Sequence, residues 1–466
     1  MHSWTRSLRA AAPLMVALAA TLHAQLPAGM TSGIDSAARE ALARTGAPSA
    51  SIAIVKDDRI VYEHAYGVAN VATNLQAATS MRYSIGSVSK QFTATAILLL
   101  AERHKLSLDD KVGRWLPGLT RSNEVSIRQI LSMTSGYQDY WPQDYVMPPM
   151  LVPTTARKIT DEWAKKPLDF EPGTRWQYSN TNYVIAGMIV EKASGVPLVQ
   201  FLQKEIFTPL QMTTVSIIDD APLGDGDPAR YLRYALGPLR PAPKEGKGWL
   251  FAAGELAMTP ADLARWDISV INQRVLKSSS YAVQQTNTLL KNGTASGYGL
   301  GVSVASFNGH RMVEHNGEVS GFTTENMIFP DDRMAVVVCV NLDATSASGQ
   351  IANRIAGLLF ATSADSTTDK AVVQARRILE GLQKGTIDRT LFTENANAYF
   401  SAQALADFQS SLAPLGAITE LTQRGTSLRG GMTFRGFTAA FGQKRISIST
   451  FTLPNGKLEQ FQIAAP

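Results

Sequence analysis

The chain has 466 residues, 45% of them hydrophobic and 18% charged, a composition typical of a folded globular protein with more than one domain. A single cysteine, Cys339, excludes an intramolecular disulfide and a cysteine-based zinc site, and six scattered histidines argue against a metal-dependent hydrolase. The net charge of +5 is small and is not gathered into a basic run, which argues against nucleic acid as a partner.

The first 24 residues have the pattern of a secretory signal peptide. Arg6 and Arg9 precede an apolar run from Ala10 to Ala20, and Ala24 ends the segment with a small residue. A transmembrane anchor would need about 20 apolar residues, which is longer than this run. We therefore expect cleavage near Ala24 and a mature protein of formal charge +3 that is periplasmic or secreted. We expect no stable membrane anchor once the leader is removed.

Residues 25–362 are predicted to form one α+β domain, in which strands from both ends build an antiparallel sheet around a helical middle, from about residue 90 to 290. β-rich runs joined by short polar turns predict the strands, and apolar helical patterns and capping boxes predict the helices. In chain order, the predicted elements are a hairpin of Ser51–Val55 and Ile60–Tyr66, a buried helix over Lys90–His104, helix starts at Ser126 and Thr259, a hairpin of Val302–Ser306 and His310–His315, a strand pair of Phe322–Phe329 and Met334–Asn341, and a helix over Gly349–Phe360.

A small and polar segment, residues 363–369, predicts a linker to a second domain over residues 370–466. The pattern of this tail predicts a small α+β domain in which the helices precede the sheet. The predicted elements are helices over Lys370–Lys384 and Ser401–Leu412, then strands over Ile418–Gln423, Met432–Phe441, Ile446–Leu453 and Leu458–Ile463.

Ser87 and Lys90 form a Ser-x-x-Lys motif at the start of the predicted buried helix. One helical turn brings the amine within reach of the hydroxyl, and apolar surroundings favour the neutral lysine that a general base requires. Free N–H groups at the helix start are suited to stabilising an oxyanion. The motif alone is a weak signal, since it also fits a serine that only caps the helix and a solvated lysine.

A second motif, Tyr178-Ser179-Asn180, occurs 91 residues after Ser87 and precedes an apolar helical pattern. The phenol of Tyr178 is suited to carrying a proton between Ser87, Lys90 and a leaving group, and the Asn180 amide is suited to binding a substrate carbonyl. Considered alone, the motif also fits a turn before a helix with a packed aromatic ring.

The third motif, His315-Asn316-Gly317, lies 137 residues after Tyr178 at the end of a predicted strand and is followed by Glu318. Glycine lets a substrate approach the strand backbone closely. The backbone N–H beyond this glycine is placed to form an oxyanion pair with that of Ser87. The three motifs together therefore predict a nucleophilic serine site.

The ordered motifs and their surroundings resemble the serine β-lactamase and penicillin-binding protein superfamily, and within it the branch of class C β-lactamases, D-aminopeptidases and esterases. The resemblance covers roughly residues 30–362 and includes SIGSVSKQFTA, SMTSG, EPGTRWQYSNTNY, MTPADLARW, YGLG and HNGEVSGF. It implies a sheet with a helical subdomain, and an exported enzyme that cleaves an amide or ester bond through an acyl-enzyme without a metal or organic cofactor. The tail resembles the small NTF2-like, cystatin-like domains that are fused to such hydrolases.

The resemblance also implies roles for individual residues. Ser87 would be the nucleophile, with Lys90 and Tyr178 as the acid/base pair. The backbone N–H groups of Ser87 and Glu318 would form the oxyanion hole. A Ser87/His315 dyad has less support, because the family pattern supplies a nearer base. The residues implied in substrate binding are Asn180, His315, Gly317 and Glu318.

Two departures from the family pattern bear on the substrate. β-Lactamases and peptidases of the family usually have Lys-Thr-Gly where this chain has His315-Asn316-Gly317, and a neutral imidazole binds a carboxylate less well than lysine does. Met133 stands where a histidine is common. The substrate therefore stays open among short-chain esters, D-amino-acid amides or peptides, and β-lactams.

Two other classes of function would use some of the same residues. A non-catalytic sensor that binds peptidoglycan or penicillin would keep the fold without turnover. A conventional Ser-His-Asp hydrolase is disfavoured, because the chain has no Gly-x-Ser-x-Gly elbow. The presence of Ser87, Lys90, Tyr178 and Gly317 favours the enzyme, with a small molecule or peptide as its partner.

Overall fold

The computed structural model describes residues 26, 28–143, 145–360, 366–429 and 432–464. The chain divides into a body over residues 28–360 and a tail over residues 366–464, and the tail has a hydrophobic core of its own. The predicted signal peptide, residues 1–24, lies outside the described residues, so its cleavage stays a prediction.

The described part of the body consists of strands, most of which build one antiparallel sheet, and of helices that cover it. The strands, in chain order, are β1 (Ser49–Lys56), β2 (Arg59–Asn70), β3 (Leu75–Gln76), β4 (Tyr83–Ser84), β5 (Ser216–Ile217), β6 (Tyr231–Arg233), β7 (Leu239–Pro241), β8 (Leu256–Met258), β9 (Ser303–Phe307), β10 (His310–Val319), β11 (Phe322–Phe329) and β12 (Met334–Val340). The α-helices are α1 (Ala28–Thr45), α2 (Ser89–Glu102), α3 (Ile127–Leu131), α4 (Ala156–Trp163), α5 (Asn180–Ser194), α6 (Leu198–Leu202), α7 (Phe251–Gly254), α8 (Pro260–Ile271), α9 (Ser278–Gln284) and α10 (Ala347–Phe360).

The central sheet joins the two ends of the body. Among the described residues its strand order is β3-β2-β1-β12-β11-β10-β9. β1 runs antiparallel to β12, and Ala50 lies opposite Val340. The predicted α+β architecture, with strands from both ends of the domain in one sheet, is therefore confirmed.

Side chains of the central strands alternate between two hydrophobic cores. In β1, Ile52 and Ile54 pack in a core with residues of α1 and α10, whereas Ala53 and Val55 pack in the larger core that includes α2 and α8. This alternation is expected for a strand that is buried on both faces. Helix α2 is buried from Ser89 to Leu100, so the helix that follows Ser87 is an internal element.

The predicted hairpins and the predicted strand pair are present, with bounds that differ by a few residues. In the β9-β10 hairpin, Asn308 and Gly309 have φ values of 49° and 87°, the positive angles that a tight two-residue turn requires. Ser126 and Gln129 form a capping box at the start of α3, and the Thr259 side chain caps α8. The sequence predicts these features because each depends on a few neighbouring residues.

The middle of the body differs from the prediction in one respect. The predicted helical middle also contains the short strands β5 to β8, of which β5 and β8 form a small sheet with β4. Runs of two or three residues are too short to show an alternating pattern, so the sequence does not indicate them.

The tail has helices followed by a sheet, as predicted. Its described elements are α11 (Ser366–Gln383), α12 (Glu394–Tyr399), α13 (Ala402–Leu412), β13 (Glu420–Arg429), β14 (Met432–Phe441), β15 (Lys444–Thr452) and β16 (Leu458–Ala464). The predicted linker is wrong for residues 366–369, which already belong to α11, because Ser, Thr and Asp suit a first helical turn as well as a loop. The NTF2-like character of the tail stays a prediction.

No single helix in the described ranges is long and apolar enough to cross a membrane. Helix α5 and the segment Leu198–Phe207 meet the criteria of length and composition only as a pair, and that pair is bent by 72°.

Candidate active site

Ser87 lies in a 3-10 turn, Gly86–Val88, that leads directly into α2. The N-cap of α2 is Val88, and no side chain caps the helix. The Ser87 Oγ instead lies 2.8 Å from the Nζ of Lys90. The alternative in which Ser87 only caps the helix is therefore wrong, and the serine is held by the lysine that the motif pairs with it.

Two glycines allow the turn that carries Ser87 to pack directly on strand β10. A Cβ at Gly317 would lie 1.9 Å from the carbonyl oxygen of Ile85, a distance at which no side chain fits. Gly86 has a φ of 50°, and a Cβ there would lie 2.8 Å from the backbone nitrogen of Glu318. This packing brings the backbone of Glu318 against the turn of Ser87.

Lys90 has no exposed surface, and its Nζ contacts three acceptors. The oxygen atoms of Ser87 Oγ, Asn180 Oδ1 and the Ala253 carbonyl each lie 2.8 Å from Nζ, which satisfies the three donors of an ammonium. Burial lowers the pKa of Lys90 to about 7, and the charge of Asp139 acts in the opposite direction. In the neutral form, two N–H groups still serve Asn180 and Ala253, and the lone pair is left for the Ser87 hydroxyl.

Tyr178 lies beside this pair. The Nζ of Lys90 is 5.0 Å from the centre of the Tyr178 ring. Burial raises the pKa of Tyr178 above its usual value, and a hydrogen bond with Ser87 only partly opposes this effect. Tyr178 is therefore protonated near neutral pH. It is suited to donating a proton, whereas Lys90 is the better resting base.

Asp139 is a site residue that the sequence motifs did not indicate. Its Oδ1 accepts a hydrogen bond from the Asn180 backbone nitrogen at 2.9 Å, and its Oδ2 accepts one from the Asn180 side-chain amide at 3.3 Å. This pairing turns Asn180 Oδ1 toward Lys90. Burial raises the pKa of the Asp139 carboxyl, and hydrogen bonds from the backbone of Trp141 and Asn180 oppose that rise. Asp139 is not close in sequence to any residue of the three motifs. Its place in the site is therefore visible only in the folded structure.

The buried side chain of Met133 contacts the second motif. It is fully buried, and its sulfur lies 3.4 Å from the backbone nitrogen of Ser179 and 3.5 Å from the side-chain nitrogen of Asn182. Its own carbonyl oxygen accepts a hydrogen bond from the backbone of Gln177 at 3.0 Å. The thioether therefore serves as a weak acceptor for both nitrogens.

His315 does not face the cleft. Only 3% of its surface is exposed, and its ring lies between those of Tyr178 and Tyr298. Its Nδ1 contacts the Asn316 carbonyl oxygen, which can only accept, so Nδ1 carries the proton and Nε2 accepts from the Tyr298 hydroxyl at 2.9 Å. Burial, with a smaller effect of Lys90, lowers the pKa of His315 to about 3. The imidazole lies against the Tyr178 ring and does not line the cleft, and the substrate-binding role of His315 stays a prediction.

A cleft of about 790 Å³ opens at Ser87. Of the predicted site residues, Ser87, Tyr178, Asn180 and Glu318 line it. Lys90 lies behind Ser87, and Gly317 is buried against the turn. The structure thus brings the predicted nucleophile, the acid/base pair and Asn180 together at one cleft. Within the described residues, no group of three or more His, Cys, Asp or Glu side chains is placed to hold a metal ion.

Residues 34–359, more than two thirds of the chain, match the family described as Beta-lactamase. The chain belongs to the beta-lactamase family. The resemblance inferred from the three motifs is confirmed, and with it membership of the β-lactamase/transpeptidase-like serine hydrolases.

The curated relatives of this beta-lactamase family member include two kinds of protein. Penicillin-binding protein 4* of Bacillus subtilis is 29% identical over 300 residues, which cover 60% of this chain and 65% of that protein. A D-aminopeptidase of Brucella anthropi is 28% identical over 306 residues, which cover 64% of this chain and 56% of that protein. The chain therefore spans less than two thirds of the length of these relatives.

Solved structures share the fold. The D-amino acid amidase from Ochrobactrum anthropi SV3, complexed with D-phenylalanine, aligns with a TM-score of 0.64 and 21% identity, over 71% of this chain and 99% of that one. The octameric penicillin-binding protein homologue from Pyrococcus abyssi aligns with a TM-score of 0.63 and 20% identity, over 93% of this chain and 99% of that one. These likenesses confirm the predicted fold class.

Substituting Gly317→Ala tests the packing of β10 on the Ser87 turn. Because the new methyl group would collide with a backbone oxygen, we expect the free energy of unfolding to fall by about 1–3 kcal/mol and the labelling of Ser87 by a fluorophosphonate to slow. Denaturant unfolding and labelling kinetics measure the two effects. Gly425→Ala is the matched control, since Gly425 lies in strand β13 and a Cβ there meets no atom within 4 Å. Equal effects of the two substitutions would contradict the argument.

Substituting Met133→Leu tests the sulfur contacts. Leucine keeps the apolar volume but leaves the buried N–H of Ser179 without its acceptor, so we expect a loss of about 1 kcal/mol in the free energy of unfolding. Met327→Leu is the control, because Met327 packs among hydrophobic residues in the sheet. A Met133 variant as stable as the Met327 variant would show that the thioether contributes only packing.

Proposed function

We propose that this protein is a hydrolase that cleaves an ester or amide bond through an acyl-enzyme on Ser87. The observation that carries the proposal is the 2.8 Å contact between Ser87 Oγ and the buried Nζ of Lys90, at the floor of an open cleft. A serine hydroxyl becomes an effective nucleophile when an adjacent base removes its proton. Lys90 can be that base because burial lowers its pKa to about 7, so a large fraction of the amine is neutral near pH 7.

The proposed reaction has two halves. In the first, neutral Lys90 takes the hydroxyl proton while Ser87 Oγ bonds to the substrate carbonyl carbon. The tetrahedral intermediate then expels the leaving amine or alcohol, which takes a proton from Tyr178, and Lys90 returns its proton to Tyr178. In the second half, water attacks the acyl carbon and loses a proton to neutral Lys90, which passes this proton to Ser87 Oγ. Ser87 Oγ leaves as the regenerated hydroxyl, and the acid is released.

The oxyanion of both intermediates needs nearby donors. The backbone N–H groups of Ser87 and Glu318 are proposed for this role, supported by the close packing that Gly86 and Gly317 permit between the turn and β10. The side-chain amide of Asn180 is proposed to bind the substrate with the N–H that it does not give to Asp139.

The substrate class is proposed from the site and the relatives together. Short-chain esters and D-amino-acid amides or peptides fit a site without a cation in the third motif, and the names of the D-aminopeptidase and amidase relatives point in the same direction. β-Lactams with a carboxylate are the less favoured class. Export to the periplasm or the medium, through the pattern of residues 1–24, is part of the same proposal.

Substituting Ser87→Ala tests the nucleophile. We expect the wild-type protein to gain the mass of a fluorophosphonate or penicillin adduct on Ser87, and to hydrolyse a p-nitrophenyl ester. The variant should lose the adduct and at least about a thousandfold in kcat, because no other group replaces the nucleophile. Hydrolysis that survives in Ser87→Ala would refute the proposal. A stable adduct without any turnover of esters, D-alanyl anilides or nitrocefin would favour the sensor instead.

The pH profile tests Lys90 as the base. Since only the neutral amine accepts the Ser87 proton, kcat/KM should rise with pH through a midpoint near 7, level off above about pH 8, and be about tenfold lower at pH 6 than on the plateau. The charge of Asp139 raises the pKa of Lys90, so Asp139→Asn should move the midpoint to lower pH. A midpoint that stays in place while kcat falls would mean that Asp139 only positions Asn180.

A further inference from the structure

The charged side chains that line the cleft all have the same sign. Among the described lining residues, four are carboxylates and none is lysine, arginine or histidine. The four are Asp139, Asp169, Glu318 and Asp343. Carboxylates that line a concave, partly dry surface create a negative potential inside it.

The two bases beside Ser87 do not offset this potential, although the Nζ of a third base, Lys166, lies 3.3 Å from the centre of the Trp163 ring on the cleft wall. The Nζ of Lys90 lies behind Ser87, and its donors are occupied by Ser87, Asn180 and the Ala253 carbonyl. His315 is 3% exposed, and both ring nitrogens are engaged by Tyr298 and Asn316. Neither residue presents a cation to the carboxylate of a substrate bound in the cleft.

All four carboxylates accept hydrogen bonds from neutral donors, and the donors to Asp139 and Glu318 include the backbone nitrogens of Asn180 and Ala344. Asp169 accepts from the side-chain amide of Gln177 at 2.5 Å, and Asp343 accepts from the backbone nitrogen of Gly321 at 3.0 Å. Hydrogen bonds of this kind hold a carboxylate in place without cancelling its charge. The negative charge of Asp169 is therefore available to a bound molecule. Burial raises the pKa of the Asp343 carboxyl, and the hydrogen bond from Gly321 opposes that rise.

Aromatic side chains line the same cleft. Trp176 is 39% exposed and Tyr145 is 66% exposed, and half-buried Trp141 lies with them on the cleft wall. The face of an aromatic ring attracts a cation, and the attraction is largest for tryptophan. Aromatic faces beside carboxylates are a combination that binds substituted ammonium groups, and it offers nothing to an anion.

We propose that the preferred substrates of this site carry a positive charge, as an ester or amide whose acyl part bears an ammonium group, and that carboxylate-bearing substrates are rejected. This inference rests on the proposed function, since it concerns the molecule that Ser87 attacks. The cleft selects the cation by charge and by its aromatic wall, and the reaction itself is unchanged.

Three p-nitrophenyl esters of matched length test the inference on the full chain. They are the esters of 4-(trimethylammonio)butanoate, of its neutral isostere 5,5-dimethylhexanoate, and of glutarate, which carries a free carboxylate. We expect kcat/KM to be about tenfold higher for the cationic ester than for the neutral one, and about tenfold lower for the anionic ester. The differences should shrink as the salt concentration rises.

Substitutions then separate charge from catalysis. Asp169→Asn and Asp343→Asn should each reduce the preference for the cationic ester by about two- to fivefold and leave hydrolysis of the neutral ester unchanged. Asp225→Asn is the control, because this exposed carboxylate lies outside the cleft. Equal rates for the three esters, or faster hydrolysis of the glutarate ester, would overturn the inference while leaving the proposed function intact. Failure to hydrolyse any of them through Ser87 would overturn both.

Discussion

A lysine without exposed surface determines how the centre of this protein is assembled. The Nζ of Lys90 needs a partner for each of its donors, because an uncompensated buried charge costs several kcal/mol. The three partners come from separate elements, namely the turn of Ser87, the start of α5 at Asn180, and α7 at Ala253. These elements must meet at one atom. The three hydrogen bonds of the Lys90 amine therefore align Ser87 with the second motif.

Other side chains arrange the rest of the site around that amine. Asp139 fixes the amide of Asn180, and Met133 supports the backbone of Ser179. His315, held by Tyr298, packs against the Tyr178 ring. Each contact restricts a group that would otherwise sample several rotamers, and such restriction is how a protein prepares a site before its substrate arrives.

The sequence predicts the features that depend on residues close together in the chain. Predictions from the sequence fail for features that depend on residues brought together only by the fold. The Asn308-Gly309 turn and the Ser126 capping box are local, and the Ser87 to Lys90 spacing fits a single turn of chain. Strand alternation places His315 inside and exposes Asn316, so the motif's histidine lies buried against the Tyr178 ring and does not line the cleft. That alternation was readable from the sequence. Asp139 was not, because its role depends on a contact across 41 residues.

The pairing of β1 with β12 has a consequence for the order in which the molecule forms. Ala50 and Val340 are neighbours in the sheet, so the central strand pair cannot close until almost the whole body has been synthesised. Closing so long a loop is entropically costly and slow compared with local pairing. The strand that presses on the Ser87 turn belongs to the late half of the sheet. A growing chain therefore carries Ser87 and Lys90 long before it can hold them in their folded geometry, and their contact is secured only once the sheet is complete.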